Sequence, residues 1–167
     1  LITKTSAVGC KKFIIHARNA VLGGLSPKKN RSIPNIRYND AEKIRRMFPE
    51  LEFVINGEIE KVESIEQQLN VFDGVMIGRK IYDDPVFIQK MQVHLDGKIP
   101  QMTRSEILEK YLDAIRLIEH DKSNYLILRH LYGLYYNTPK SKMWKKLLHK
   151  TISSDSSIDK LRKFKEN

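Results

Sequence analysis

Three short apolar runs, Phe13-Ile14-Ile15, Phe53-Val54-Ile55 and Val75-Met76-Ile77, are separated by stretches whose apolar residues recur every three or four positions. A short unbroken apolar run suits a strand, and three-four spacing suits a helix with one buried stripe. The order is therefore strand, helix (Asn39 to Phe48), strand, helix (Val62 to Leu69), strand. Each strand is apolar without alternation, as a strand covered on both faces must be, which predicts a parallel α/β sheet. Asn39-Asp-Ala-Glu42 has capping-box spacing and is expected to open the first helix. Asn56-Gly57 is a common hairpin signal, but Ile59, Val62, Ile65 and Leu69 follow at helical spacing, which favours strand to helix.

From about Val93 the pattern becomes helical throughout. Thr103-Arg-Ser-Glu106 has the form of a second capping box, and Ile107, Tyr111, Leu112, Ile115 and Ile118 then share a face. Leu128, Leu131, Leu134 and Tyr135 make another face, and Trp144, Leu147 and Leu148 a third. The expected organisation is α/β over 1–92, a small all-α bundle over 93–152 joined through Asp96-Gly-Lys-Ile-Pro100, and a flexible tail over 153–167.

Ligands of parallel α/β proteins bind at the carboxyl ends of the strands. Those ends read His16-Ala-Arg18, Asn56-Gly57-Glu58 and Gly78-Arg79. Glycine lets backbone amides approach a ligand, helix N-termini favour phosphate, and a guanidinium adds a paired charge. The last two ends are thus expected to face a phosphate. Each signal alone is weak: a lone strand-end histidine is more often a hydrogen-bonded rim residue than a ligand.

Charge points to an anionic partner. The net charge is +10, and no acid occurs between Asp121 and Asp155. That span carries Lys122, Arg129, Lys140, Lys142, Lys145, Lys146 and Lys150, interleaved with Tyr125, Tyr132, Tyr135, Tyr136 and Trp144. Cations for phosphates and aromatic faces for bases are what an RNA surface needs; the competing reading is a solvated helix face over core aromatics. No apolar run approaches the roughly 18 residues of a membrane span, and no membrane partner or metal is expected. The single cysteine, Cys10, fits a reducing cytosol and is read as a small buried hydrophobe. A first residue of Leu, not Met, leads us to expect further sequence upstream.

The segments "FIIHARNAVLGGLSPKKNR" (13–31), "FVINGEI" (53–59) and "DGVMIGR" (73–79) resemble the second half of the flavin barrel of the tRNA-dihydrouridine synthases, particularly the A-type subfamily. "ILRHLYGLYYNTPKSKMWKKLL" (127–148) is similar to that family's C-terminal helical RNA-binding domain. The resemblance implies the C-terminal part of a TIM (β/α)8 barrel followed by a helical bundle. The implied activity is reduction of D-loop uridine in tRNA to 5,6-dihydrouridine, with FMN as cofactor and NADPH as reductant, in the cytoplasm. It assigns His16 to the flavin, and Asn56, Gly57, Glu58, Gly78 and Arg79 to the flavin phosphate. Lys28, Arg31, Lys142 and Lys145 match positions that contact tRNA.

Three departures shape the expectation. Glu58 stands where the family usually has a second glycine, and a carboxylate repels a phosphate unless it points away. Lys142 and Lys145 stand for two arginines, keeping charge but losing the planar fork. The family's catalytic cysteine and a lysine near the flavin belong to the first half of the barrel, so no catalytic residue is assigned here. The chain is therefore expected to be inactive alone and to need a companion N-terminal half-barrel. A non-catalytic tRNA-binding module is the alternative; an FMN barrel acting on a small molecule leaves the acid-free aromatic span without a role.

Overall fold

The apolar runs become three strands, β1 (Lys12–His16), β2 (Glu52–Asn56) and β3 (Gly74–Met76), in the order β1-β2-β3 with both pairings parallel. The computed structural model describes residues 1–97, 101–117, 124–154 and 158–164. Helix α1 (Ile2–Ala7) precedes the sheet, and α2 (Pro27–Asn30) and α3 (Tyr38–Met47) lie between β1 and β2. Helix α4 (Val62–Leu69) links β2 to β3, so Asn56-Gly57 is a strand-to-helix connection and not a hairpin.

Register divides the sheet into two unlike faces. Phe13 pairs with Phe53, and Ile15 with Ile55 and through it Val75, on the covered side. Phe53 and Ile55 are fully buried there, Phe13 stacks on Phe53 at 5.6 Å, and Ala41 of α3 and Ile65 of α4 are buried too. The other side carries the rows Lys12–Glu52, Ile14–Val54–Gly74 and His16–Asn56–Met76. Ile14 is 58% exposed and Met76 42%. The expectation of strands covered on both faces is therefore corrected: α3 and α4 supply cover for one face, and no described residue buries the other.

Further corrections concern local signals. Asn39 does not cap α3; the helix starts at Tyr38 with Arg37 at its N-cap and no side-chain cap. Asp40 pairs instead with Arg37, and Glu42 with Arg46. Glu42, the carboxylate of the supposed box, is committed to its i,i+4 ion pair, and the helix entry is set by the Arg37 N–H bonding to the Ala17 carbonyl at 2.8 Å. Gly57 is not at a helix N-terminus, because α4 begins only at Val62. Cys10 is exposed, not buried, ahead of β1.

The remaining residues form a second compact unit, Arg79–Asn167, after Leu1–Gly78; the sequence pattern changes near 92, whereas the division into units falls at 78/79. Its elements are α5 (Arg79–Asp83), α6 (Phe87–Asp96), α7 (Arg104–Arg116), α8 (Asn124–Leu128), a 3-10 turn at Arg129–Leu131, α9 (Ser141–Ser153) and a second 3-10 segment, Ile158–Lys163. Thr103 and Glu106 form the reciprocal capping box read from sequence. Leu108, Leu112, Ile115, Leu128, Leu131, Leu134, Tyr135, Trp144 and Leu148 join Leu161 in one core, with Ile107, Tyr111 and Leu147 packed against it. Leu161 is fully buried and Phe164 lies 4.9 Å from Tyr135, so residues 158–164 are packed and not a flexible tail. The expected face residue Ile118, the cation Lys122, most of the link at 98–100 and the rest of the tail at 155–157 and 165–167 lie outside the described residues.

Trp144 is the centre of this unit. It is fully buried, sits 4.9 Å from Tyr135 and 5.2 Å from Phe164, and donates its Nε1–H to the Leu131 carbonyl at 2.7 Å. Trp144→Ala is expected to destabilise the helical unit by about 3–5 kcal/mol through the cavity and the orphaned carbonyl. Urea melts followed by near-UV circular dichroism check it, and an unchanged midpoint would refute the packing argument.

Candidate functional site

Parallel pairing in register brings three sequence-distant strand ends together. His16 is paired with Asn56 and Asn56 with Met76, so the last row of the open face is one imidazole, one amide and one thioether. Asn56 Nδ2 points to Met76 Sδ at 3.4 Å. Gly78 follows two residues beyond Met76 at the same end of the sheet, exposed, with nothing within 4 Å of where a β-carbon would stand. Arg79 comes next and opens α5 in the second unit.

The connection after β2 is a tight structure held from below. Gly57 has φ +135°, a conformation that L side chains rarely adopt, and a β-carbon on it would come within 3.0 Å of Ile36 Cδ1 and 3.6 Å of His16 Nδ1. The Ala17 N–H bonds to the Asn56 carbonyl at 2.8 Å, and the Tyr38 hydroxyl donates to the Gly57 carbonyl. Burial, and then the Glu58 carboxylate, push the Tyr38 hydroxyl above its ordinary pKa, with Arg18 opposing. Tyr38 thus stays a neutral donor to that carbonyl.

Glu58 itself has φ +50°, in the left-handed region that glycine adopts at no cost. Its carboxylate forms an ion pair with Arg18, whose side chain is 2% exposed against 45% for Glu58. The carboxylate that sequence placed beside a phosphate is therefore already matched by a buried guanidinium. Arg18, Asn19, Arg37 and Asp40 also line, with His16, a cleft of about 190 Å³ between the end of β1 and α3.

Asp73, which opens the "DGVMIGR" segment, ties β2 to β3. Its Oδ2 accepts from the Phe53 N–H at 2.8 Å and lies 3.1 Å from Arg45 Nε. The Phe53 N–H, and to a lesser degree Arg45, hold its carboxyl below the usual range against a smaller opposing effect of burial. A depressed folded-state pKa contributes stability that is present above the unfolded value, about pH 4, and is lost as pH falls through the lower folded value. Asp73→Asn is expected to lower the stability of the sheet unit by about 0.5–1 kcal/mol at neutral pH, the exposure of the carboxylate screening the rest, and to flatten the decline below about pH 4. Melting curves across that window test both signs; a variant with the wild-type acid slope would rule the carboxylate out as its source.

The candidate RNA contacts divide between the units. Lys28 in α2 and Arg31 just after it are exposed on a loop whose shape comes from Asn30: its side chain bonds both the N–H and the carbonyl of Val21, at 2.8 and 2.9 Å. Ser26 caps α2 by accepting from the Lys29 N–H at 3.3 Å. On α9, Lys142, Lys145, Lys146 and Lys150 are exposed while Trp144, Leu148 and Thr151 are buried. The aromatic half of the sequence reading needs correction. Trp144 and Tyr135 are core residues with no free face, because their apolar area is worth more in the interior; Tyr125 and Tyr136 remain exposed, and Lys80 Nζ already covers the Tyr136 ring at 4.9 Å.

The roles of Arg18, Tyr38, Asn30 and Asp73 are not legible in the sequence. Each acts through a partner 9 to 40 positions away, for which neither periodicity nor motif spacing gives a signal. No helix among the described residues is long and apolar enough to cross a membrane.

Comparison with known proteins bears on the family of the chain. The family model for dihydrouridine synthase (Dus) matches residues 1–167. Proteins named tRNA-dihydrouridine(20/20a) synthase are similar to the chain: that of Synechocystis sp. is 39% identical over 155 residues, covering 90% of this chain and 44% of the relative. That of Pseudomonas aeruginosa is 37% identical over 158 residues (93% and 47%), and that of Vibrio parahaemolyticus 40% over 141 residues (83% and 43%). The chain spans a little under half the length of these curated relatives. With a family model matched along its whole length, the chain belongs to the dihydrouridine synthase family.

Proposed function

We propose that the chain is the C-terminal portion of a tRNA-dihydrouridine synthase, reducing D-loop uridine to 5,6-dihydrouridine once a companion N-terminal half-barrel is present. In this reading β1, β2 and β3 are the last strands of a TIM barrel, and the helical residues 93–152 bind tRNA. The observation that carries it is the row His16–Asn56–Met76 with Gly78 beyond it, at the carboxyl ends of adjacent parallel strands, where α/β enzymes hold ligands.

FMN fits these residues on chemical grounds. His16 and Asn56 offer donors on an open face, Gly78 leaves backbone clear, and the Glu58 charge is drawn to Arg18. His16 would lie against the flavin, and Asn56, Gly57, the backbone of Glu58, Gly78 and Arg79 around its phosphate, with the Glu58 carboxylate turned to Arg18. When bound, FMN recharged by NADPH supplies the reducing equivalents. Lys28, Arg31, Lys142 and Lys145 neutralise tRNA phosphates and so orient the substrate. The exposed apolar row at Ile14 and the unpaired outer edge of β1 in the described sheet support a companion half that completes the barrel.

Purified chain is expected to take up FMN, read as flavin absorbance and quenched fluorescence. A second reading, a non-catalytic tRNA-binding module, is favoured by the exposed lysines of α9 on a unit with its own core. Colourless protein that retards tRNA in a salt-sensitive way would select this second reading.

A further inference from the structure

Position 58 combines two costs that do not ordinarily persist together. A glutamate is held at φ +50°, where glycine carries no penalty, and it draws a guanidinium that is 2% exposed into an ion pair. Arg18 Nη2 lies against Glu58 Oε1, yet neither Nη2 nor Nε makes a directed hydrogen bond among the described residues. A buried guanidinium so poorly satisfied is not explained by stability, since buried ion pairs of this quality seldom repay their desolvation.

The surroundings supply an explanation. The Gly57–Glu58 connection is bonded from beneath at the Asn56 and Gly57 carbonyls by the Ala17 N–H and the Tyr38 hydroxyl. Ala17 in turn accepts from the Arg37 N–H, so β1, β2 and the start of α3 share one hydrogen-bonded knot. The acidic side chain that directly follows Gly57 is Glu58, and its charge is turned toward Arg18.

We propose that Arg18 is a positioning residue for anion binding at the β2 end: it withdraws the Glu58 carboxylate from the side where a phosphate sits and holds the connection in its left-handed shape. The inference rests on the reading of that end as a flavin-phosphate site. Arg18 touches no ligand; it makes an acidic residue tolerable at a backbone conformation that favours glycine. Removing Arg18 harms the site because Glu58 is there, and replacing Glu58 by glycine makes Arg18 dispensable.

The test is a double-mutant cycle on the full chain with R18M, E58G and R18M/E58G, and with R18K as a charge-retaining variant should R18M fold poorly by far-UV circular dichroism. One readout is FMN affinity from flavin fluorescence. R18M is expected to weaken binding about tenfold or more through the released carboxylate. E58G should bind as well as wild type or better, the double variant should return to within about threefold of wild type, and R18K should stay close to wild type. The second readout needs no flavin: exchange of the Ala17 and Arg37 amides is expected to speed up in R18M and slow again in R18M/E58G, because glycine holds the left-handed turn without help. If wild type binds FMN and E58G fails to rescue R18M in either readout, Arg18 is a packing residue and the inference is overturned. Absence of flavin binding by wild type together with the exchange pattern rejects the phosphate reading and leaves the Arg18–Glu58 lock standing; flavin binding without the coupling does the reverse.

Discussion

Incubated with tRNA, FMN and NADPH, the 167-residue chain by itself is expected to form no dihydrouridine above a protein-free blank. Protonating the uracil ring requires an acid beside the flavin, and the one thiol of the chain is in the wrong place. Cys10 is exposed and lies ahead of Lys12, while His16, Asn56 and Gly78 stand at the opposite ends of the strands. Along β1 alone that separation is roughly 13 Å, at about 3.3 Å per residue. The row beneath the proposed flavin includes Ile14 at 58% exposure, so water reaches a face that reductive chemistry needs closed. A companion half-barrel carrying the family's cysteine would supply both the acid and the cover, and adding it is expected to switch activity on. Mass spectrometry of nucleosides from digested tRNA gives the answer; dihydrouridine made by the lone chain would end the half-barrel argument.

Reversing the charge at Lys142 and Lys145 is expected to weaken tRNA binding about a hundredfold at ~0.1 M salt and to reduce the log–log salt slope by about 2. Both side chains are exposed on α9, whose opposite side is anchored by Trp144 and Leu148 in the core, so their heads are presented by a rigid element. Lys146 and Lys150 extend the same cationic helix, and no acid in the stretch after Asp121 and before Asp155 opposes them. Lys142→Glu/Lys145→Glu should leave the melting transition of the helical unit in place, since neither residue packs in it. The arginine pair Lys142→Arg/Lys145→Arg should tighten binding modestly by offering a planar fork to phosphate oxygens. Affinity titrations over a salt series separate these effects. Unchanged affinity and slope in the double glutamate variant would remove α9 from the RNA surface.

The elements most legible in the sequence are those whose information is local. Val62 to Leu69 was readable as a helix because its apolar spacing is its own property, and the structure has α4 at those residues. Thr103 and Glu106 close their capping box across three positions, within reach of any short peptide. The Asn39 signal misled for a related reason: the same residue types can cap or pair, and Arg37 and Arg46 drew Asp40 and Glu42 into ion pairs. Trp144 looked equally suited to a base or a core, and the packing of Tyr135 and Phe164 around it decided for the core.

From the chain alone came the strand–helix alternation, the parallel pairing and the set of strand-end residues, because period and crossover length are written in consecutive residues. Tertiary structure alone decided which face of the sheet is covered, that Asn30 shapes the loop of Lys28 and Arg31, and that Glu58 turns to Arg18. Those outcomes depend on which distant groups meet and on what each loses by leaving water, and a partner forty residues away leaves no mark on the local pattern.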